Sequence, residues 1–230
     1  MVRITILLSC AVMLLGSPIQ SVIAMDDPLA LTLAKLDAAS AKFSTAQADL
    51  EWDTYQKIVD DTEKQYGVIW FKRVGGSPEM RADVSDTAGS KPGQMIVYQQ
   101  GKLQEYEPKI DDVKVIAAAK YESFLTLGFG GSGNDLKKNW NITYLGTEPM
   151  QGITVTKLDL KPIGPDVSKY FTHITIWVDA DRGVSLQQKF FYPSGDYRTV
   201  FYSNIRYDKN IDSKEFKLPL TNKTKIENIQ

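Results

Sequence analysis

The stretch GVIWFKRVGGSPEMRADV, Gly67–Val84, predicts two short strands around a Gly75-Gly76-Ser77-Pro78 turn. A half-buried strand alternates apolar and polar residues, because successive side chains point to opposite faces. This one does not. Val68 and Trp70 fall on one face, Ile69 and Phe71 on the other, and Lys72 and Arg73 then close the strand with charge. Two explanations stay open. Either both faces are covered by protein, or one of them meets an apolar ligand.

The flanks set the architecture around this pair. Upstream, Ala48–Thr54 alternates cleanly, with Leu50 and Trp52 on one face against Asp49, Glu51 and Asp53 on the other, as in a half-solvated antiparallel strand. Before it, Leu29, Leu33, Leu36 and Phe43 recur at near-helical spacing. They predict an amphipathic helix over Pro28–Lys42, capped by Asp26 or Asp27 with Pro28 at its first position. Downstream, Gln94–Gln99 and Lys102–Glu105 predict a hairpin around Gln100-Gly101. Asp112–Leu127 is helical in pattern with an alanine-rich centre, Gly128–Gly133 is a flexible break, and Asn134-Asp135 caps a short turn over Leu136–Asn139. Strands return at Trp140–Gly146, Ile153–Leu160, Phe171–Val178, Gly183–Phe191, Tyr197–Arg206 and Glu215–Leu218.

Adjacent short strands with tight turns form an antiparallel meander. A twisted sheet of about eleven strands curls rather than staying flat. The expected fold is therefore mainly β (α+β): a curved antiparallel sheet with an N-terminal helix and a helical interruption that can fill its interior. Residues 25–220 are expected to form one domain, followed by a polar tail over residues 221–230.

Residues 1–24 are expected to be an export signal. Arg3 supplies positive charge, Ile4–Gly16 is an apolar run too short for a lasting span, and Val22-Ile23-Ala24 fits cleavage after Ala24. Leu7-Leu8-Ser9-Cys10 faintly resembles a lipid-attachment box, yet the apolar run continues past Cys10, which favours a cysteine inside a discarded signal. Periplasmic localisation follows. Cys10 is the sole cysteine, so the exported chain carries no disulfide, and a domain of roughly 200 residues needs none. With 27 Lys+Arg against 28 Asp+Glu, no basic field exists for nucleic acid.

Catalytic chemistry is hard to assemble from this sequence. His173 is the sole histidine and shares a strand side with Thr175 and Trp177, which reads as a surface strand residue. No nucleophile–base pair or zinc ligand set presents itself, so no catalytic residue, metal or cofactor is assigned. Asp60-Asp61, Asp111-Asp112 and Asp179-Ala180-Asp181 sit at turns, where aspartate serves the backbone. Gly128-Phe-Gly130-Gly-Ser-Gly133 matches G-x-G-x-x-G formally but lacks the strand before it and the full helix after it that a dinucleotide site needs.

The apolar residues are the unused asset. Leu50, Trp52, Val68, Ile69, Trp70, Phe71, Met80, Met95, Val97, Phe124, Leu125, Leu127 and Phe129 exceed what one face of a curled sheet must hide. Together they point to an apolar cavity between sheet and helical lid, large enough to take lipid chains. Gly128, Gly130, Gly131 and Gly133 are expected to hinge that lid.

Over nearly all of residues 29–220 the chain resembles the LolA-type periplasmic lipoprotein carriers, in the superfamily that includes LolB-like and RseB-like domains. Leu36–Phe43 followed by Ala46-Gln47-Ala48 resembles the family's first helix and strand. Gly67-Val-Ile-Trp70-Phe-Lys72-Arg73 resembles its G-x-L-W-x-K-R-P strand, and Val97-Tyr-Gln-Gln-Gly101-Lys102 with Tyr106-Glu-Pro108 its V-S-D-G-K hairpin and Y-x-P. Leu158–Pro162, Ile174–Gly183 and Phe216-Lys-Leu-Pro219 resemble its later strands and terminal F-x-x-P. The resemblance implies an unclosed β-barrel with a helical lid. It implies non-catalytic carriage of acylated lipoproteins by a monomer, from an inner-membrane release complex to an outer-membrane acceptor. An RseB-like sensor module, or a carrier of another lipid, is the alternative. Arg73 matches the family arginine that latches the lid. Val74 stands where the family has proline, followed by a Gly75-Gly76 insertion, so Arg81 is the other latch candidate.

Overall fold

The computed structural model describes residues 27–74, 77–207 and 211–229. The proposed signal, its cleavage point, Cys10 and the Gly75-Gly76 insertion lie outside the described residues.

Helix α1 spans Pro28–Ser40. The Asp27 carboxylate accepts from Leu29 N at 3.0 Å, and Pro28 needs no partner for its missing N–H. Its buried stripe is Thr32, Leu33, Leu36 and Ala39. Two long strands follow, β1 (Thr45–Gln56) and β2 (Asp61–Val74), then β3 (Ser77–Ser85), β4 (Gln94–Gln99), β5 (Lys102–Glu107) and β6 (Asp112–Ala117). A 3₁₀ turn (Ala119–Tyr121), α2 (Glu122–Leu125) and α3 (Gly133–Asn139) interrupt the meander. It resumes with β7 (Trp140–Met150), β8 (Ile153–Pro162), a short α4 (Pro165–Ser168), β9 (His173–Asp179), β10 (Val184–Phe191) and β11 (Tyr197–Tyr207). A 3₁₀ turn (Ser213–Phe216) and β12 (Lys225–Ile229) end the described chain.

Among the described residues, all twelve strands join one sheet in the order β12-β6-β5-β4-β3-β2-β1-β11-β10-β9-β8-β7. The sheet curls without closing, an open barrel with β12 and β7 as its edges. Register settles the question posed by Gly67–Val84. Ala48 pairs with Ile69, Ala46 with Phe71, and these pair onward with Ala82 and Met80. Partners directly opposite share a face. Ile69 and Phe71 are thus buried on the concave side, with the core members Ala46, Ala48, Met80 and Ala82. Val68 and Trp70 lie on the convex side opposite Asp83 and Arg81, half-buried.

Three departures from the sequence expectations have physical causes. Asp112–Leu127 is not one helix, since its first part is β6. Val113 and Val115 alternate with Asp112 and Lys114, and the open edge of β5 supplies a ladder for that β-branched run. Glu215–Leu218 is not a strand. Asp212 accepts from Lys214 N at 3.0 Å and opens a 3₁₀ turn that buries Phe216. The tail over residues 221–230 carries β12, the one parallel pairing among the described strands, laid on β6 from Lys225↔Asp112 to Ile229↔Ile116. Every side chain of β12 is exposed, so no burial pattern marked it in the sequence.

The segment before β12 grips the convex face. Lys72 Nζ donates to Ile211 O (3.3 Å) and Ser213 Oγ (3.0 Å), and Arg81 Nη1 donates to Glu215 O. A small convex cluster of Val155, Trp177 and Leu186 packs on the far half of the sheet.

Candidate functional site

The chain from Ala119 to Asn139 crosses the concave side and forms a lid. Tyr98, fully buried on β4, donates to the Glu122 carboxylate at 2.6 Å and pins the start of α2. Burial, and secondarily Glu122, pushes the Tyr98 phenol far up, so it stays a neutral donor. Phe129 then drops into the core. It stacks on Phe71 with centroids 4.0 Å apart and meets Tyr202 edge-on at 4.9 Å. A short bridge, Phe129↔Val184, and the bonds Gly130 N→Gly183 O (3.0 Å) and Ser185 N→Gly128 O (2.7 Å) tie this loop to the start of β10.

Gly130 O is the point where three elements meet. Arg73 Nη2 donates to it at 2.9 Å from β2, and Ser40 Oγ at 2.6 Å from the end of α1. Arg73 reaches it because β2 alternation puts residue 73 on the same concave side as Ile69 and Phe71. Arg81 faces the other way. It forms an ion pair with Asp83 at 2.6 Å, lies over the Trp70 ring, and donates to the segment after β11, away from the lid.

The glycines expected to hinge the lid are mostly seated tightly. Gly128 and Gly130 have φ of 77° and 68°, a left-handed backbone that L side chains rarely adopt. A Cβ on Gly128 would stand 2.1 Å from Ser185 Oγ, and one on Gly130 would stand 2.3 Å from the Phe43 ring. Gly133 lets α3 approach Leu33 of α1 just as closely. Gly131 alone of the four faces open space. The glycine pattern serves close docking of the loop.

Beneath the lid lies a cavity of about 310 Å³. Trp52, Ile69, Phe71, Met80, Phe124, Leu125 and Leu127, all singled out from the sequence, line it. Leu50 and Phe129 belong to the packed core beside it. Val68 and Trp70 border a convex groove instead. Met95 and Val97 are also convex, since Asp83 pairs with Met95 and Arg81 with Val97. The sequence reading missed the walls supplied by β4, β5, β10 and β11: Ile96, Leu103, Phe190, Val200 and Tyr202, with Phe171 just before β9. Alternation along Gln188-Lys-Phe190 and Arg198-Thr-Val200-Phe-Tyr202 carried that signal.

The cavity has a satisfied polar floor. Tyr202 OH donates to Gln188 Oε1 (3.1 Å), and Gln188 Nε2 donates to Leu127 O (2.6 Å), so wall and lid share one buried network. Burial drives the Tyr202 phenol far up and keeps it protonated. A second hollow of about 490 Å³ with polar walls lies around Arg73, Glu122, Ser132 and Asp135. His173 is remote from both on the convex face, 2.6 Å from Asp159 and stacked on Phe191. Among the described residues no group of His, Cys, Asp and Glu could hold a metal ion, and no helix is long and apolar enough to cross a membrane.

No protein-family model and no curated protein matches the chain. Solved structures do. An uncharacterized conserved protein from Thermus thermophilus aligns over 88% of this chain and 100% of its own at 11% identity, with a TM-score of 0.55. MucB aligns over 83% of this chain and 62% of its own at 13% identity, with a TM-score of 0.50. LolA superfamily protein NE2245 from Nitrosomonas europaea aligns over 83% and 97% at 13% identity, with a TM-score of 0.42. At such identities the likeness concerns the fold alone, and the function has to be argued from the cavity and its lid.

Proposed function

We propose that this protein is a non-catalytic carrier that holds acyl chains between its curved sheet and its lid. The observation that carries the reading is the apolar cavity of about 310 Å³, closed by a lid whose carbonyl Gly130 O is gripped by Arg73 and Ser40. Ligand pockets span roughly 300–1,000 Å³, so the closed form takes a modest ligand and a raised lid a larger one. Each buried methylene is worth about 0.8 kcal/mol, enough for part of an acyl chain to bind well. The latch bond is worth about 1.5–3 kcal/mol, within reach of cargo binding to offset.

In this reading residues 1–24 direct export to the periplasm, with cleavage after Ala24, and residues 25–220 form the binding domain, with β12 laid on its strand β6. The cargo is acylated lipoprotein, received at the inner membrane and delivered toward the outer one. Arg73 is the lid latch. The test is uptake of a triacylated peptide by the purified exported chain, with protection of a fluorescent acyl probe from water. A probe that stays fully quenched in the protein's presence overturns the proposal.

A second reading, a sensor module, draws on the MucB likeness. MucB has been captured in complex with MucA, although the present match spans only 62% of MucB. Capture of a membrane-anchored regulator, with no uptake of the acyl probe, would favour it.

A further inference from the structure

The cavity that the carrier reading fills with hydrocarbon has one basic side chain in its wall among the described residues, Arg198. Pairing with Thr54 on β1 and Phe190 on β10 puts it on the concave side of β11, two residues before Val200 and four before Tyr202. Arg198 Nε donates to Thr54 Oγ1 at 3.1 Å, and its guanidinium carbon lies 4.9 Å over the Trp52 ring. These two contacts hold the near side of the fork. Among the described residues no carboxylate forms an ion pair with it and neither Nη atom has a hydrogen-bond partner. Arg81, Arg182 and Arg206, by contrast, each have an aspartate.

The one acidic side chain in the same wall, Glu105, lies on β5 with Lys114 of β6 directly opposite in register on its face. Arg198 stands at the start of β11, beside the β10–β11 turn, whereas Tyr202 closes the deep end through Gln188. The two are about 13 Å apart along the strand. An alkyl chain laid over Val200 toward Tyr202 therefore brings its first polar group to the open guanidinium edge.

We propose that Arg198 receives the anionic head, a carboxylate or a phosphate monoester, of an amphiphile whose acyl chain lies in the cavity. This rests on the acyl-chain cavity proposed above and concerns a free anionic lipid in it, not the ester- and amide-linked chains of a lipoprotein. A planar guanidinium offers paired N–H donors that match such oxyanions, and a partly desolvated cation gains most from a charged partner. Arg198 is a ligand-positioning residue and Arg73 a lid residue, so their variants separate.

The test is displacement of a fluorescent acyl probe by dodecanoate, dodecyl phosphate, dodecanol and inorganic phosphate, on the wild-type chain and on Arg198→Gln. The expected result is that the two anionic amphiphiles bind about tenfold more tightly than dodecanol to the wild type. Arg198→Gln removes that margin and leaves dodecanol unchanged, and inorganic phosphate displaces nothing. Equal binding of all three amphiphiles to the wild type overturns the Arg198 assignment and leaves the cavity reading standing. So does a variant that weakens all three alike, or displacement by inorganic phosphate. Failure of dodecanol itself to bind overturns the cavity reading, and the Arg198 assignment with it.

Discussion

Arg73 and Gly130 meet at 2.9 Å, and that contact is the one charge-assisted bond among those described that hold the lid loop at Gly130. Replacing the guanidinium with an apolar side chain removes a charge-assisted donor, about 1.5–3 kcal/mol. Arg73→Leu is expected to exchange the amides of Thr126–Gly130 at least tenfold faster and to retain bound lipid longer. Hydrogen exchange followed by mass spectrometry reads this, and unchanged lid rates would remove Arg73 from the latch role. Gly128 is sensitive for another reason. Gly128→Ala places a Cβ against Ser185 Oγ on a left-handed backbone, at a cost of about 1–3 kcal/mol. Denaturant unfolding should show the loss, and an unmoved midpoint would mean that the loop shifts freely. The presence of Arg73 and of the glycine cluster was legible in the sequence. That the glycines seat the loop was not, because the clashing partners, Ser185 and Phe43, are distant along the chain.

Among the elements, β12 shows what a pattern reading cannot see. Its five side chains are exposed, and it is held by a parallel ladder to β6 and by Asp111. Asp111 accepts from Thr224 Oγ1 (2.7 Å), Tyr106 OH (3.0 Å) and Thr221 Oγ1 (3.4 Å). The Thr224 bond first, helped by Tyr106 and Thr221, lowers its carboxyl below the ordinary range. A lowered carboxyl stabilises the fold fully above its unfolded value, near 3.9, and loses that contribution as pH falls through the folded value. The β12 amides should therefore exchange faster in acid than the β5 amides one strand further in, and Thr224→Val should move that onset to higher pH. Equal acid sensitivity of β5 and β12 would dissociate Asp111 from the strand. β6 failed as a helix for a related reason. The alanines of residues 117–119 suggested helix, but Val113-Lys-Val115 had an unpaired β5 edge waiting for it.

At the scale of the molecule, the cavity is what the curled sheet and lid do not fill. Ile96 is half-buried in its wall, so Ile96→Trp should occupy the space with little strain. Acyl-probe affinity is expected to fall about tenfold, with an unfolding temperature within a few degrees of wild type. Binding that survives would place the ligand elsewhere. The chain by itself determined the meander, the N-terminal helix with an aspartate cap at residue 26 or 27, the helical interruption and the excess of apolar strand residues, because periodicity and capping are local properties. Only the tertiary structure decided which residues of Gly67–Arg73 face inward. A strand apolar on both sides specifies no face. The choice came from register with β1 and β3, which set Ile69, Phe71 and Arg73 toward the lid and left Val68 and Trp70 on the outside.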